Sequence, residues 1–289
     1  MIERINIMSL DLSSLLTSLL TLIDSSSISL HKSDCCLFTN QPTDLKYSIK
    51  ETSLSERKSS FQTSEEIANQ VTVRILSKES SGSGVIISRQ GQTYTVLTNE
   101  HVLENARDKD YRILTVDGLI HSSVLVKEVM FAGADLAIVK FNTNTNNNYQ
   151  VVALGDSSSL SLDDPVYAAG FPNYYFPKDS NTVEATYNWG RRAFRLTVGD
   201  VGMLPLKSLR EGYGLGYTNE VVDGMSGGPV LNQKGELVGI NGKLKYSLQG
   251  EGGYLFTDGT KPSQHLFEQM QSLSWAIPSS SFVQLLSIR

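Results

Sequence analysis

The sequence predicts an all-β chain of two antiparallel barrels, and three observations carry that expectation. Short runs rich in Val, Ile, Thr and Tyr recur at close spacing from residue 71 onward. Such runs, bounded by turn residues and accompanied by few helices, close into barrels or sandwiches. They fall into two groups of similar size on either side of the Asn-rich stretch NTNTNNN at 142–148, which reads as a surface loop.

The first sixty residues stand apart. They hold fourteen serines and show no sustained alternation. The apolar stretch LLTSLLTLI at 15–23 is too short to span a bilayer. Glu3, Arg4 and Asp11 weaken any positive region before it, and DSSSIS offers a poor cleavage site, so cytoplasmic placement is favoured over export. Residues 1–60 therefore read as a flexible or partly helical leader, a regulatory or export segment. His31, Cys35 and Cys36 form an incomplete ligand set, so no metal is expected.

From residue 61 the pattern changes. SEEIANQ (64–70) reads as a short helix with Ser64 as its cap. The strands expected of a first barrel, over 61–149, are 71–76, 84–88, 93–98, 111–117, 123–129 and 135–141, with 150–154 leading into the second. The second barrel, over 150–289, is expected to use 165–171, 193–202, 214–220, 229–232, 236–242 and 274–278. Residues 265–273 and 281–287 space apolar residues three to four apart, as short C-terminal helices do.

Composition narrows the function. The 289 residues are 40% hydrophobic and 19% charged, with a net charge of 25 − 30 = −5. That is ordinary globular usage and gives no basic stripe, so neither nucleic-acid binding nor stable membrane insertion is expected. Arg191, Arg192 and Arg195 read as a solvated strand face, and the glycines at 212, 214 and 216 as a flexible loop. The two cysteines are adjacent and cannot staple a fold.

Three stretches put a reactive residue where strand meets loop. In TVLTNEHVLENA (95–106), His101 follows a strand and opens a helical turn. In FAGADLAIVKF (131–141), Asp135 precedes an apolar strand, where a carboxylate needs a buried partner. In VVDGMSGGPVLN (221–232), Ser226 lies among Gly224, Gly227 and Gly228, which permit left-handed dihedrals and close substrate approach. A serine hydroxyl is a weak nucleophile and needs a general base; histidine suits that role, and a carboxylate fixes its tautomer. The backbone N–H groups of Gly224 and Ser226 are placed to hold an oxyanion.

These blocks, GSGVII…TVLTNEHVL, ADLAIVKF and DGMSGGPVLN, resemble the signature blocks of trypsin-like serine peptidases, in particular the disulfide-free bacterial branch that includes HtrA-type proteases and the trypsin-like peptidase domains of cyanobacteria. The resemblance covers about residues 64–288. It implies a chymotrypsin-like double barrel with His101 as base and acid, Asp135 as its orienter and Ser226 as nucleophile. It implies an endopeptidase acting on protein or peptide substrates without cofactor. The Ser-rich leader, read as a regulatory or recruitment segment, adds an operon partner as substrate or activator to the expectations. Glu220, six residues before Ser226, corresponds to the base of the primary specificity pocket, with Ile240, Asn241, Gly242 and Lys243 as its wall. Glu220 favours cleavage after Arg or Lys; Asp223 is the competing acid, and Lys243 a candidate to neutralise Glu220. Met225 stands where digestive trypsins carry the aspartate that pairs with a new N-terminus, so the oxyanion hole has to be shaped another way. The chain stops soon after WAIPSSSFVQLL, and no PDZ module is expected. The alternative reading is a catalytically weak protease fold kept as a protein-binding module. An esterase is disfavoured because the serine lacks the G-x-S-x-G elbow.

Overall fold

The computed structural model describes residues 63–78, 81–104, 110–127, 131–144, 148–177, 182–247, 250–283 and 286. The leader at 1–60, with His31, Cys35 and Cys36, lies outside the described residues. All the described residues belong to one compact unit, Lys50–Arg289.

A helix, α1 (63–71), runs into β1 (Thr72–Leu76). There follow β2 (Ser81–Gln90), β3 (Thr93–Thr98), α2 (Glu100–Glu104), β4 (Tyr111–Leu114), β5 (Ile120–Leu125) and β6 (Ala137–Asn142). These six strands close an antiparallel barrel in the order β1-β2-β3-β6-β5-β4. The second half carries β7 (Pro165–Gly170), β8 (Tyr174–Tyr175), β9 (Glu184–Ala185), β10 (Arg195–Met203), β11 (Leu215–Tyr217), β12 (Pro229–Leu231), β13 (Leu237–Lys243), α3 (Gln264–Gln271) and β14 (Ser274–Pro278). It closes a second barrel in the order β10-β11-β14-β13-β12-β7, with β8 and β9 as a separate two-stranded ribbon. The expected all-β double barrel is the observed one.

Inward-facing residues fill each barrel: Val73, Ile75, Ile86, Val96, Val139 and Phe141 in the first, and Val166, Ala168, Val201, Tyr217, Val230 and Val238 in the second. A third cluster joins Val85, Leu97 and Ile138 of the first barrel to Leu231, Ile240 and Ile277 of the second. Each such buried branched side chain contributes about 1.5–3 kcal/mol. β1 (TVRIL) alternates polar and apolar residues yet is buried on both faces; on its polar face the Arg74 guanidinium donates to the Thr186 carbonyl at 2.8 Å.

Several expected features differ. Residues 150–154 form no strand; only Leu154 bridges to Leu237, while the Val152 N–H donates to the Ile86 carbonyl at 3.0 Å. The apolar side chains there cover the join between barrels, so apolarity without ladder pairing mimicked a strand. Ser64 lies inside α1 rather than capping it, and its buried hydroxyl donates to the carbonyls of Asn232 and Gln233. Arg191 is no solvated side chain, since it donates to the carbonyls of Thr72 and Asn69 and lies over the rings of Phe171 and Phe194. Gly216 is a strand residue of β11, and the Gly214 N–H donates to the Ala276 carbonyl, so this run is not a loose loop. Residues 279–281 form a 3-10 turn, and within the expected helix at 281–287 the described residues 283 and 286 are helical, the Leu286 N–H donating to the Phe282 carbonyl at 3.1 Å.

Candidate active site

Strands β3 and β6 pair in register through Thr98 and Ala137, which sets the chain just after β3 beside the chain just before β6. His101, in the first turn of α2, thereby meets Asp135. Nδ1 of His101 donates to Oδ2 of Asp135 at 2.6 Å, and the His101 backbone N–H donates to Oδ1 at 3.0 Å. The Asp135 side chain is only 8% exposed and that of His101 41%. Burial pulls the His101 pKa down, but the hydrogen bond and charge of Asp135, with Glu211 and Glu104 adding, outweigh it and leave the imidazole above its ordinary value. Burial acts on Asp135 in the opposite sense; bonds from His101 and Tyr213 overcome it and hold the carboxyl below its usual range.

The second barrel grips the same carboxylate. The buried Tyr213 hydroxyl donates to Asp135 Oδ2 at 2.5 Å, and the Asp135 N–H donates to the Glu211 carbonyl at 2.9 Å. Asn99 Nδ2 donates to the Asp135 carbonyl at 2.8 Å. Every polar group of Asp135 therefore has a partner, as a buried charge requires. Nothing in the sequence marks Tyr213, because a tyrosine in a β-rich run signals core packing and its partner is distant along the chain.

Ser226 sits on a tight turn between Val222 and Pro229. Gly224 (φ 91°) and Gly227 (φ 84°) adopt left-handed backbone, as their glycine identity allows. A Cβ on Gly227 would stand 2.1 Å from the Ser83 carbonyl oxygen and 2.2 Å from Thr98 Oγ1, so this turn lies against the end of β3, three residues before His101. The Ser83 N–H donates to the Ser226 carbonyl at 2.8 Å. Within the turn, the N–H groups of Met225, Gly227 and Gly228 are taken by the carbonyls of Val222, Asn241 and Met225. Among the described residues, those of Gly224 and Ser226 have no partner. Ser226 Oγ, half-buried, also has none there.

What shapes this turn is visible. Ser83 Oγ donates to the Gly224 carbonyl and accepts from the Phe171 N–H, both at 2.8 Å. Asn173 donates from its backbone N–H to the Asp223 carbonyl at 2.8 Å and from Nδ2 to the Asp223 carboxylate at 3.0 Å. Met225 is fully buried in the second barrel's core. An apolar anchor and hydrogen bonds from the uncharged side chains of Ser83 and Asn173 thus fix this turn.

The residues expected to line the primary pocket are dispersed in environment. Ile240 and Asn241 are buried, and Asn241 Nδ2 donates to the Ala169 carbonyl at 3.0 Å. Gly242 and Lys243 line a cleft of about 530 Å³ together with His101, Asp135, Glu211 and Tyr213. Glu220 is 69% exposed and pairs with Arg195 at 3.3 Å. Lys243 does not neutralise it: its ammonium lies 5.1 Å from the centre of the Tyr213 ring, and burial lowers its pKa against the pull of Glu211 and Asp135. Asp223 is held by Asn173.

Two closed six-stranded barrels, with a histidine–carboxylate pair on one and a glycine-wrapped serine on the other, define the chymotrypsin-like class of fold. The family model described as "Trypsin-like peptidase domain" matches residues 82–240, more than half of the chain, and the chain belongs to that family. HhoB of Synechocystis sp. is 32% identical over 178 residues, covering 61% of this chain and 37% of that protein. A serine protease named HtrA-like from Staphylococcus aureus is 27% identical over 183 residues, covering 57% of this chain and 20% of its own length. The chain thus matches well under half the length of these relatives. Among solved structures, the HtrA-type protease AlgW with a tripeptide shares the fold with TM-score 0.54 at 21% identity, covering 78% of this chain and 62% of that one. A serine endoprotease from Yersinia pestis does so with TM-score 0.53 at 23% identity, covering 79% and 65%.

Proposed function

We propose that the chain is a serine endopeptidase that cleaves proteins or peptides through an acyl-enzyme on Ser226. The observation that carries this reading is the His101–Asp135 pair at 2.6 Å beside a turn whose Gly224 and Ser226 N–H groups are left over. Asp135 accepts from Nδ1, which leaves Nε2 of His101 as the acceptor for the Ser226 proton. Ser226 Oγ attacks the scissile carbonyl as that proton moves to Nε2, and the Gly224 and Ser226 N–H groups hold the oxyanion. His101 then returns the proton to the leaving amine, and water repeats the sequence on the ester. Each oxyanion donor supplies about 3 kcal/mol of barrier lowering in known cases.

Cleavage after Arg or Lys forms the finer part of the proposal. Glu220 supports it by charge. A basic side chain has to displace Arg195, and an ion pair this exposed is worth only about 0–1 kcal/mol. The same exposure screens the attraction, so the preference is modest. Incubation with unfolded casein and a peptide library varied at the residue before the cut tests both parts. Cleavage enriched after Arg and Lys is expected. No cleavage with the wild-type chain, at any pH between 6 and 10, would remove the peptidase reading.

A further inference from the structure

We propose that Tyr213 is a positioning residue of the acid–base pair, a hydroxyl supplied by the second barrel that fixes the Asp135 carboxylate and moderates its hold on His101. The inference rests on the peptidase reading. Tyr213 donates to Oδ2, the same oxygen that accepts from His101 Nδ1, so it acts on the atom that governs the imidazole.

The surroundings are arranged around that hydroxyl. A Cβ on Gly242 would lie 2.2 Å from the Tyr213 oxygen, so a side chain there would expel it from its present position. The Lys243 ammonium lies over the ring, 5.1 Å from its centre. Two residues away, the Glu211 carbonyl accepts from the Asp135 N–H. The segment 211–213 therefore holds both the backbone and the side chain of Asp135, while α2 presents His101 from the other side. Burial and the Asp135 charge keep the tyrosine protonated and hence a donor.

A buried carboxylate that gains a neutral donor shares its charge between two partners. Without the hydroxyl, Oδ2 becomes the stronger base toward His101 alone. The imidazolium is then stabilised more, and the ring becomes less free to turn toward Ser226. The other charged groups facing this pair, Glu104 and Glu100 on α2, Glu211, and Lys243 on β13, stay in place and set the background.

The test uses Tyr213→Phe in the full chain, with Gly242→Ala as a second variant that displaces the hydroxyl while keeping it. NMR titration of His101 is read in both, independently of turnover. Tyr213→Phe is expected to lower kcat about tenfold with KM within about twofold, the scale of one hydrogen bond to a charged group. Both variants are expected to raise the His101 pKa by about half a unit or more. A wild-type chain that hydrolyses nothing overturns the peptidase reading alone. A His101 titration unmoved in whichever variant folds overturns the role of Tyr213, whatever happens to kcat.

Discussion

The Ser83 hydroxyl donates to the Gly224 carbonyl at 2.8 Å across 141 residues of sequence, tying β2 of the first barrel to the turn that carries Ser226. The same hydroxyl accepts from Phe171, so one small side chain joins three segments. Ser83→Ala leaves a buried carbonyl and a buried N–H unsatisfied. It should destabilise the fold by about 1–3 kcal/mol per orphaned group and lower kcat more than it raises KM. Thermal melts and steady-state kinetics of the variant check this; an unchanged kcat would show that the turn keeps its shape unaided.

Gly227 and Gly91 both have positive φ, 84° and 64°, but differ in room. A Cβ at Gly227 strikes the Ser83 carbonyl and Thr98, whereas Gly91 has nothing within 4 Å. Gly91→Ala should cost about 1 kcal/mol, the strain of left-handed backbone alone, and leave activity intact. Gly227→Ala should cost several times more and abolish turnover. Parallel denaturant titrations and activity assays distinguish the two.

The His101 pKa is raised by Asp135, and peptide hydrolysis requires the neutral imidazole as base. Activity should therefore rise through an apparent pKa above the ordinary histidine value of about 6.5. The linked stability has the opposite sense: the protonated pair favours the fold below about pH 6.5, and that contribution fades as pH rises through the folded value. Asp135, with its lowered pKa, favours the fold above the ordinary aspartate value, and this is lost as pH falls through its folded value. A kcat/KM profile with an acid limb at or below the ordinary histidine value would contradict the pairing.

Glu220→Gln should reduce cleavage after Arg and Lys about two- to fivefold, the effect of one solvent-screened charge. Arg195→Ala should increase it by freeing the carboxylate. Competition between matched Arg and Leu peptides measures both, and equal ratios in all three proteins would move the primary specificity elsewhere.

Much of this molecule was legible in its sequence. Strands β3 and β14 fall on the expected residues because short runs holding β-branched and aromatic side chains are bounded there by turn residues. The odd placement of Asp135 before an apolar strand pointed to a buried partner; the carboxylate has two partners, the half-exposed His101 and the buried Tyr213. The short ribbon of β8 and β9 was not legible, because two paired residues per strand leave no periodic signal. Tyr213 and Ser83 act over 78 and 141 residues of sequence, and contacts of that range depend on barrel closure. Glu220 was expected at the primary pocket from its spacing to Ser226, while its 69% exposure depends on how the chain there projects into solvent.

Ser226 is proposed as a nucleophile activated by His101. Labelling of the wild-type chain with a fluorophosphonate, followed by mass mapping of the modified peptide, tests it most directly. A single adduct on Ser226 is expected, lost in Ser226→Ala and formed at least about 100-fold more slowly in His101→Ala. An unlabelled wild-type chain, or an adduct on another residue that survives Ser226→Ala, would contradict it and leave the fold as a binding module.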